Sequence, residues 1–333
     1  MPQPAFLGFT MPHVFPLPRL LCLIGLAIVL AACSRQSQPL RIATHPWVGY
    51  ETLCLAQDRG VLPQTVTLRH GQRAADTLAA LRAGTVDAGM LTLDEMLTAR
   101  AAGTPLMAVL IFDSSSGADV LLARPQLRQL ADLAGKRIGY EPTAVGALVL
   151  GEVLAQAGLA EAAVTRVELP LTAHLSAWRE GRVDAIVTYE PTAAQLQAEG
   201  AERLFDSRQM PDTIFDVLAM RTDRLDGRKA ALRAAIETHF EMRAYIIRHR
   251  DDAVYRIAAH QGVTAADVRR AMAGVTVPEV AGNRYALQAG SRFDDAARRV
   301  YRLMTERGML ARPDSLDGLF SAEFLPLPRA AAP

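Results

Sequence analysis

Between residues 40 and 223 the apolar positions of this chain follow two rhythms in turn. Compact runs rich in Val, Ile and Leu read as strands, and stretches with apolar residues three and four apart read as helices. The strand-like runs are residues 40–43, 65–70, 87–91, 106–112, 136–141, 164–169, 185–190, 202–206 and 215–223. Between them the spacing predicts helices over 50–59, 73–82, 94–102, 145–158 and 173–180, and another ending near 199. Gly60 and Gly158 stand where two of these helices should stop, because glycine accepts the left-handed backbone of a helix C-terminus without strain. Strand and helix alternating at this interval predict a largely parallel α/β sheet. After residue 223 only helices are expected, over 227–248, 252–260, 265–273 and 293–307. Thr264 and Asp267 resemble a capping box at the start of the third.

One phrase occurs twice. Leu78, Leu81, Gly84, Val86, Asp87 and Ala88 align with Leu175, Trp178, Gly181, Val183, Asp184 and Ala185 at a constant offset. Two equivalent helix-to-strand units in two similar lobes would produce this echo; a common helix-to-strand junction would produce it by coincidence. The first copy runs on into Met90-Leu91-Thr92, the second into Tyr189-Glu190-Pro191. No Pro/Ser-rich linker separates two lobes. The expected division is therefore residues 40–113 with 221–328 as one lobe and 114–220, crossovers included, as the other. Apolar connections near 106–124 and 215–221 serve as a hinge.

Composition narrows the class. At 333 residues and 50% hydrophobic the chain can build two cores. A net charge of +1 gives no electrostatic case for nucleic acid. Lys136 and Lys229 are its only lysines. Residues 1–32 have the layout of a secretory signal: Arg19, then the apolar run LLCLIGLAIVL, too short to span a bilayer comfortably. Leu30-Ala31-Ala32-Cys33 resembles a lipobox, which makes Cys33 the lipidated residue, residues 33–39 a tether and the cell envelope the destination; Met11 is an alternative start. Cys22 would leave with the signal and Cys33 would carry lipid, so Cys54 is left without a disulfide partner and reads as a small buried hydrophobe, with a catalytic thiol as the alternative.

Several motifs carry a family resemblance over residues 40–326. They are Pro46-Trp47-Val48-Gly49-Tyr50-Glu51, Asp113-Ser114-Ser115-Ser116-Gly117-Ala118-Asp119, Leu133-Ala134-Gly135-Lys136-Arg137-Ile138, and GRVDAIVTYEP at 181–191. In combination they resemble the periplasmic substrate-binding proteins of ABC importers, of the nitrate/sulfonate/taurine (SsuA/TauA-like) and thiamine-precursor (NMT1/THI5-like) type. Tyr189 stands where that family has tryptophan. The resemblance implies a type II periplasmic-binding-protein-like α/β fold, with a ligand cleft between two lobes. It further implies a monomer that works with an ABC permease, facing the periplasm, without a cofactor.

Ligands of open parallel sheets lie off the carboxyl ends of the strands. That rule selects Trp47, Tyr50, Thr92, Asp113, Ser115, Tyr140, Glu141, Thr143, Tyr189, Glu190 and Asp216 as candidate ligand-binding residues. Glu190 has a competing role as a cap for the helix that Pro191 opens. Asp94 lies on the same strand ends, while no Arg or Lys does. Carboxylates without a basic partner oppose an anion, and aromatics beside carboxylates suit an amine or a flat pyrimidine-like or flavin-like heterocycle. A sulfonate could still bind through helix N-termini. Phosphate-loop, HExxH, CxxC and Gly-x-Ser-x-Gly motifs are absent. The histidines are scattered without metal spacing, so no metal is expected, and they read as surface or helix residues; His45 precedes the Trp47 loop. The leading expectation is thus a lipid-anchored solute-binding protein. A membrane-coupled ligand sensor is the alternative, and an enzyme on the same fold is the third reading, opposed by the export signal.

Overall fold

The computed structural model describes residues 38–327, so the signal-peptide and Cys33 readings lie outside the described residues. β1 (Leu40–Thr44), α1 (Glu51–Asp58), β2 (Val66–His70), α2 (Ala74–Arg82), β3 (Ala88–Thr92), α3 (Leu93–Ala101) and β4 (Leu106–Ser115) come first. β5 (Asp119–Ala123), β6 (Arg137–Tyr140), α4 (Ala144–Ala157), β7 (Thr165–Glu168), α5 (His174–Arg179), β8 (Ala185–Tyr189), α6 (Thr192–Ala198) and β9 (Glu202–Asp206) follow. The chain then forms β10 (Phe215–Arg221), α7 (Lys229–Arg248), α8 (Arg250–Gln261), α9 (Ala265–Ala273), β11 (Val275–Thr276), α10 (Val280–Ala286) and α11 (Arg292–Glu306). None of the described helices is long and apolar enough to cross a membrane.

Two sheets result, ordered β11-β4-β10-β3-β1-β2 and β7-β6-β8-β5-β9. In the first, β1, β2 and β3 are parallel, and β10 runs antiparallel between β3 and β4. Central strands are buried along nearly their whole length: every residue of β10 from Phe215 to Met220 is buried, Asp216 included, as expected where both faces of a sheet are covered. In the second sheet Leu121 and Ala123 of β5 join the core on one face, while Val120 and Leu122 join the core on the other, the period-2 alternation of a strand. Helix α11 buries Phe293, Ala296, Ala297, Val300 and Met304 at three- and four-residue spacing, which seals it to the core of the first sheet. Residues 215–220 pair throughout with β3 and β4, so they lie in the first sheet rather than with the second lobe, where the expected division put them.

The two crossovers run side by side. Ser115 and Ser207 hydroxyls meet at 2.7 Å, and the Gly117 amide donates to Ser207 at 2.6 Å. The Ser116 and Ala118 amides both donate to the Gly274 carbonyl. A Cβ on Gly274 would lie 2.8 Å from the Ala118 backbone, so this close approach requires glycine.

The repeated phrase has a physical basis. Gly84 and Gly181 both adopt the left-handed conformation, with φ of 66° and 68°. Asp87 accepts hydrogen bonds from the Arg41 amide (3.0 Å), Nε (2.9 Å) and Nη2 (2.8 Å) of the neighbouring strand. Asp184 accepts from the Arg137 amide (2.9 Å), Nε (3.0 Å) and Nη2 (2.8 Å) in the same pattern. Each copy therefore stops a helix, turns, and locks the start of a central strand to its parallel neighbour.

Candidate functional site

Strand register assembles one wall of the site. Asp216 on β10 lies directly opposite Thr92 on β3 and Asp113 on β4, so the three side chains share a face. Like charges placed directly across a sheet repel, and here two carboxyls do so in a buried setting: Asp113 is 0% exposed and Asp216 3%. The Tyr50 hydroxyl, at the turn into α1, donates to Asp216. The Trp47 indole N–H donates to Asp113 Oδ2 at 3.2 Å. Asp113 Oδ1 is buried with no hydrogen-bond partner. Gly49 makes room for this carboxyl, since a Cβ there would sit 1.6 Å from Asp113 Oδ2.

The second lobe supplies the opposite wall. Asp119 on β5 lies directly across from Tyr189 on β8, and the Tyr189 hydroxyl donates to Glu141 Oε2 at 3.4 Å. Contacts close the gap between the walls. The rings of Trp47 and Tyr189 meet edge to face, with centroids 5.9 Å apart. The Val145 amide, at the N-terminus of α4, donates to Asp94 Oδ2 at 3.3 Å. Asp94 also accepts from the Thr92 hydroxyl, and Glu95 accepts from the Thr92 amide at 2.9 Å, the N3-to-N-cap half of a capping box at the start of α3.

Burial dominates the electrostatics. It raises Glu95 to about 8, helped by the Asp94 charge, and it raises Asp113 to about 7 and Asp119 to about 6. Burial likewise lifts Asp94 and Glu141, and it pushes Asp216, with Asp113 opposite, well above the carboxylate range. Hydrogen bonds from Thr92, Val145, Trp47 and Tyr50 act in the other direction without reversing the shifts. No arginine or lysine is among the leading causes for any of the six. A buried carboxyl without a cation keeps its proton until something pairs with it.

Of the residues expected from the sequence, Trp47, Tyr50, Thr92, Asp113, Glu141, Tyr189 and Asp216 come together here. Four others spend their polar atoms on the framework. Tyr140 is buried in the second-lobe core and donates to Glu168 Oε1 at 3.0 Å. Thr143 caps α4 by accepting from the Gly146 amide at 3.1 Å. Ser115 ties the crossovers together. Glu190 accepts from the Ala194 amide at 3.1 Å and caps α6, the competing role expected for it. Glu95 and Asp119 were not among the candidates. Glu95 could have been found as the fourth residue of Thr92-x-x-Glu95, and Asp119 closes the motif that begins at Asp113.

Two histidines lie on helices, as one of the two expected placements had it, and both are fully buried. His174 contacts the Thr188 hydroxyl at 3.1 Å, and His239 contacts Thr52 at 2.8 Å. Burial lowers them to about 4 and about 3, so both are neutral. Cavities of about 360 and 260 Å³ lie elsewhere, around Met210–Thr213 with Arg299 and around Phe215 with Tyr285.

Comparison with known proteins gives a consistent frame. The NMT1-like family matches residues 34–260. No curated protein matches the chain at a significant level. The periplasmic aliphatic sulphonate binding protein SsuA from Escherichia coli superposes with a TM-score of 0.74 at 19% identity, covering 89% of this chain and 94% of that one. The alkanesulfonate-binding protein SsuA from Xanthomonas axonopodis pv. citri, bound to MOPS, gives 0.68 at 23% identity over 83% and 96%. A Candida albicans protein described as having the generic periplasmic binding protein fold gives 0.62 at 15% over 87% and 98%. The fold shared with these proteins is that of the periplasmic binding proteins.

Proposed function

The chain belongs to the NMT1-like family, and we propose that it is an extracytoplasmic solute-binding protein, lipid-anchored at Cys33, that delivers a small donor-bearing organic solute to an ABC importer. Its ligand is a protonated amine or an amino-substituted heterocycle, bound without turnover and without a cofactor. The protein acts as a monomer, and closure of the two lobes on the ligand prepares it for the permease.

One observation carries the ligand class: Asp94, Glu95, Asp113, Asp119, Glu141 and Asp216 converge with no arginine or lysine of the described residues among the leading influences on them, and Asp113 Oδ1 is buried without a partner. A unit charge about 4 Å from one ionised carboxylate interacts with it by roughly 4 kcal/mol at an effective dielectric of 20. That energy favours a cation and opposes a sulfonate. The helix N-terminus that could compensate an anion, that of α4, already receives the Asp94 carboxylate. Trp47 and Tyr189 supply the aromatic edges against which a flat or cationic group packs.

A thermal-shift and calorimetric panel at pH 8 tests this reading with polyamines, aminopyrimidines, flavins, taurine-type sulfonates and nitrate. Stabilisation by amine-bearing compounds is expected, and Asp216→Asn should weaken their binding about 10- to 100-fold, the loss of one charge-assisted hydrogen bond. A shift with sulfonates alone overturns the ligand class. Cys33→Ser should release the protein from membranes; unchanged membrane partition would remove the lipid anchor.

A further inference from the structure

A second group of chemically capable side chains lies at the edge of the first sheet. Cys54 is in α1, His70 ends the edge strand β2, and His260 is near the end of α8. The Cys54 sulfur and one ring nitrogen from each histidine lie within 4.8 Å of one another. The two imidazole centroids are 5.4 Å apart. Glu51, one helical turn before Cys54, places both carboxylate oxygens 3.0 Å from His260 Nδ1 and accepts from Gln261 Nε2 at 2.8 Å. The Gln57 carbonyl oxygen is 2.8 Å from His70 Nε2.

We propose that Cys54, His70 and His260 bind one thiophilic transition-metal ion of the zinc class, with Glu51 orienting the His260 ring. Three features of the geometry support it. Glu51 is only 2% exposed, and its charge partner is His260. A carboxylate holding one nitrogen of an imidazole leaves the other free, which is how metal-bound histidines are fixed in orientation. The donor set is one sulfur and two imidazoles, a combination that selects zinc-like ions and rejects the oxygen-seeking calcium and magnesium. The reach is also right. Tetrahedral zinc places its ligand atoms roughly 3.3–3.6 Å apart, so closing the site takes about 1 Å of side-chain movement by two exposed histidines. Binding costs the Cys54 thiol its proton, which passes to solvent, and a water completes the coordination. The bound ion would link α1, β2 and α8. This site is independent of the ligand cleft, although both begin at the same turn: Tyr50 faces Asp216, while Glu51 faces His260.

Cobalt titration of the full chain provides the test, with Cys22 and Cys33 kept in every variant so that differences report Cys54. A sulfur-to-cobalt charge-transfer absorption is expected to saturate at one equivalent and to be displaced by zinc. Cys54→Ser should abolish it, and His260→Gln or His70→Gln should weaken zinc binding by 100-fold or more. Glu51→Gln should cost 10- to 100-fold. Absence of the charge-transfer absorption overturns the proposal, as does its persistence in Cys54→Ser or equal zinc affinity in the parent chain and both histidine variants. The far-ultraviolet dichroism of each variant separates lost binding from lost folding, and the four single variants make the outcome independent of any one of them.

Discussion

Asp87 and Asp94 bracket one strand, β3, and live under opposite electrostatic rules. At its start, burial alone would raise Asp87, but hydrogen bonds from Arg41 and the nearby Arg228 charge hold it below the usual carboxylate range. At its end, burial raises Asp94, and no arginine is among the leading influences that oppose it. The second lobe repeats the contrast between the hydrogen-bonded Asp184, held down by Arg137, and Glu141, pushed up by burial. Buried charge is tolerable where a partner is built in. The ends of the strands that carry a partner hold the framework together. The ends without one face the gap between the lobes.

The contrast can be broken at its strongest point first. Asp87 is fully buried between Arg41 and Arg228, so Asp87→Asn should cost about 3–5 kcal/mol of stability in urea unfolding. At the other end of the strands the sign reverses. The folded-state values of Glu95 (about 8) and Asp113 (about 7) lie above those of an unfolded chain. The folded protein therefore binds more protons between pH 4 and 8, and this stability, complete below pH 4, is lost as pH rises through 7 to 8. The ligand-free protein should lose several kcal/mol of stability between pH 5 and 8, and Asp113→Asn should flatten that decline. A melting temperature that rises over this range would contradict the assignment. The smallest effect belongs to Asp184→Asn. Asp184 is 28% exposed and Arg137 45%, so the loss should stay below about 1 kcal/mol. Equal costs for Asp87→Asn and Asp184→Asn would erase the difference between the lobes.

Most elements were legible because their causes are local. Thr264 and Asp267 make the bonds of a capping box within one turn, and Gly158 stops α4 with φ of 67°. The missing elements depend on distant partners. β11 has only two residues and exists because it pairs with Ser114 and Ser115. α10, spelled VAGNRYA, is short and contains both Gly and Asn. Asn283 holds it in place by bonding both the amide and the carbonyl of Ile111, at 2.7 and 3.1 Å, from the other end of the chain. Tyr140, Thr143, Ser115 and Glu190 share the strand-end position of the gathered residues, yet their direction of projection and nearest partner give them framework roles.

Local composition and spacing by themselves determined the strands, the helices, their stops and the doubled Val-Asp-Ala junction, since each rests on interactions within a few residues. Only the tertiary structure decided that Thr92, Asp113 and Asp216 would share one face, through the antiparallel insertion of β10 between β3 and β4. It alone also brought Cys54, His70 and His260 together. Registers and crossings between remote segments set those meetings, and burial then gave the assembled carboxyls properties that none has in the isolated chain.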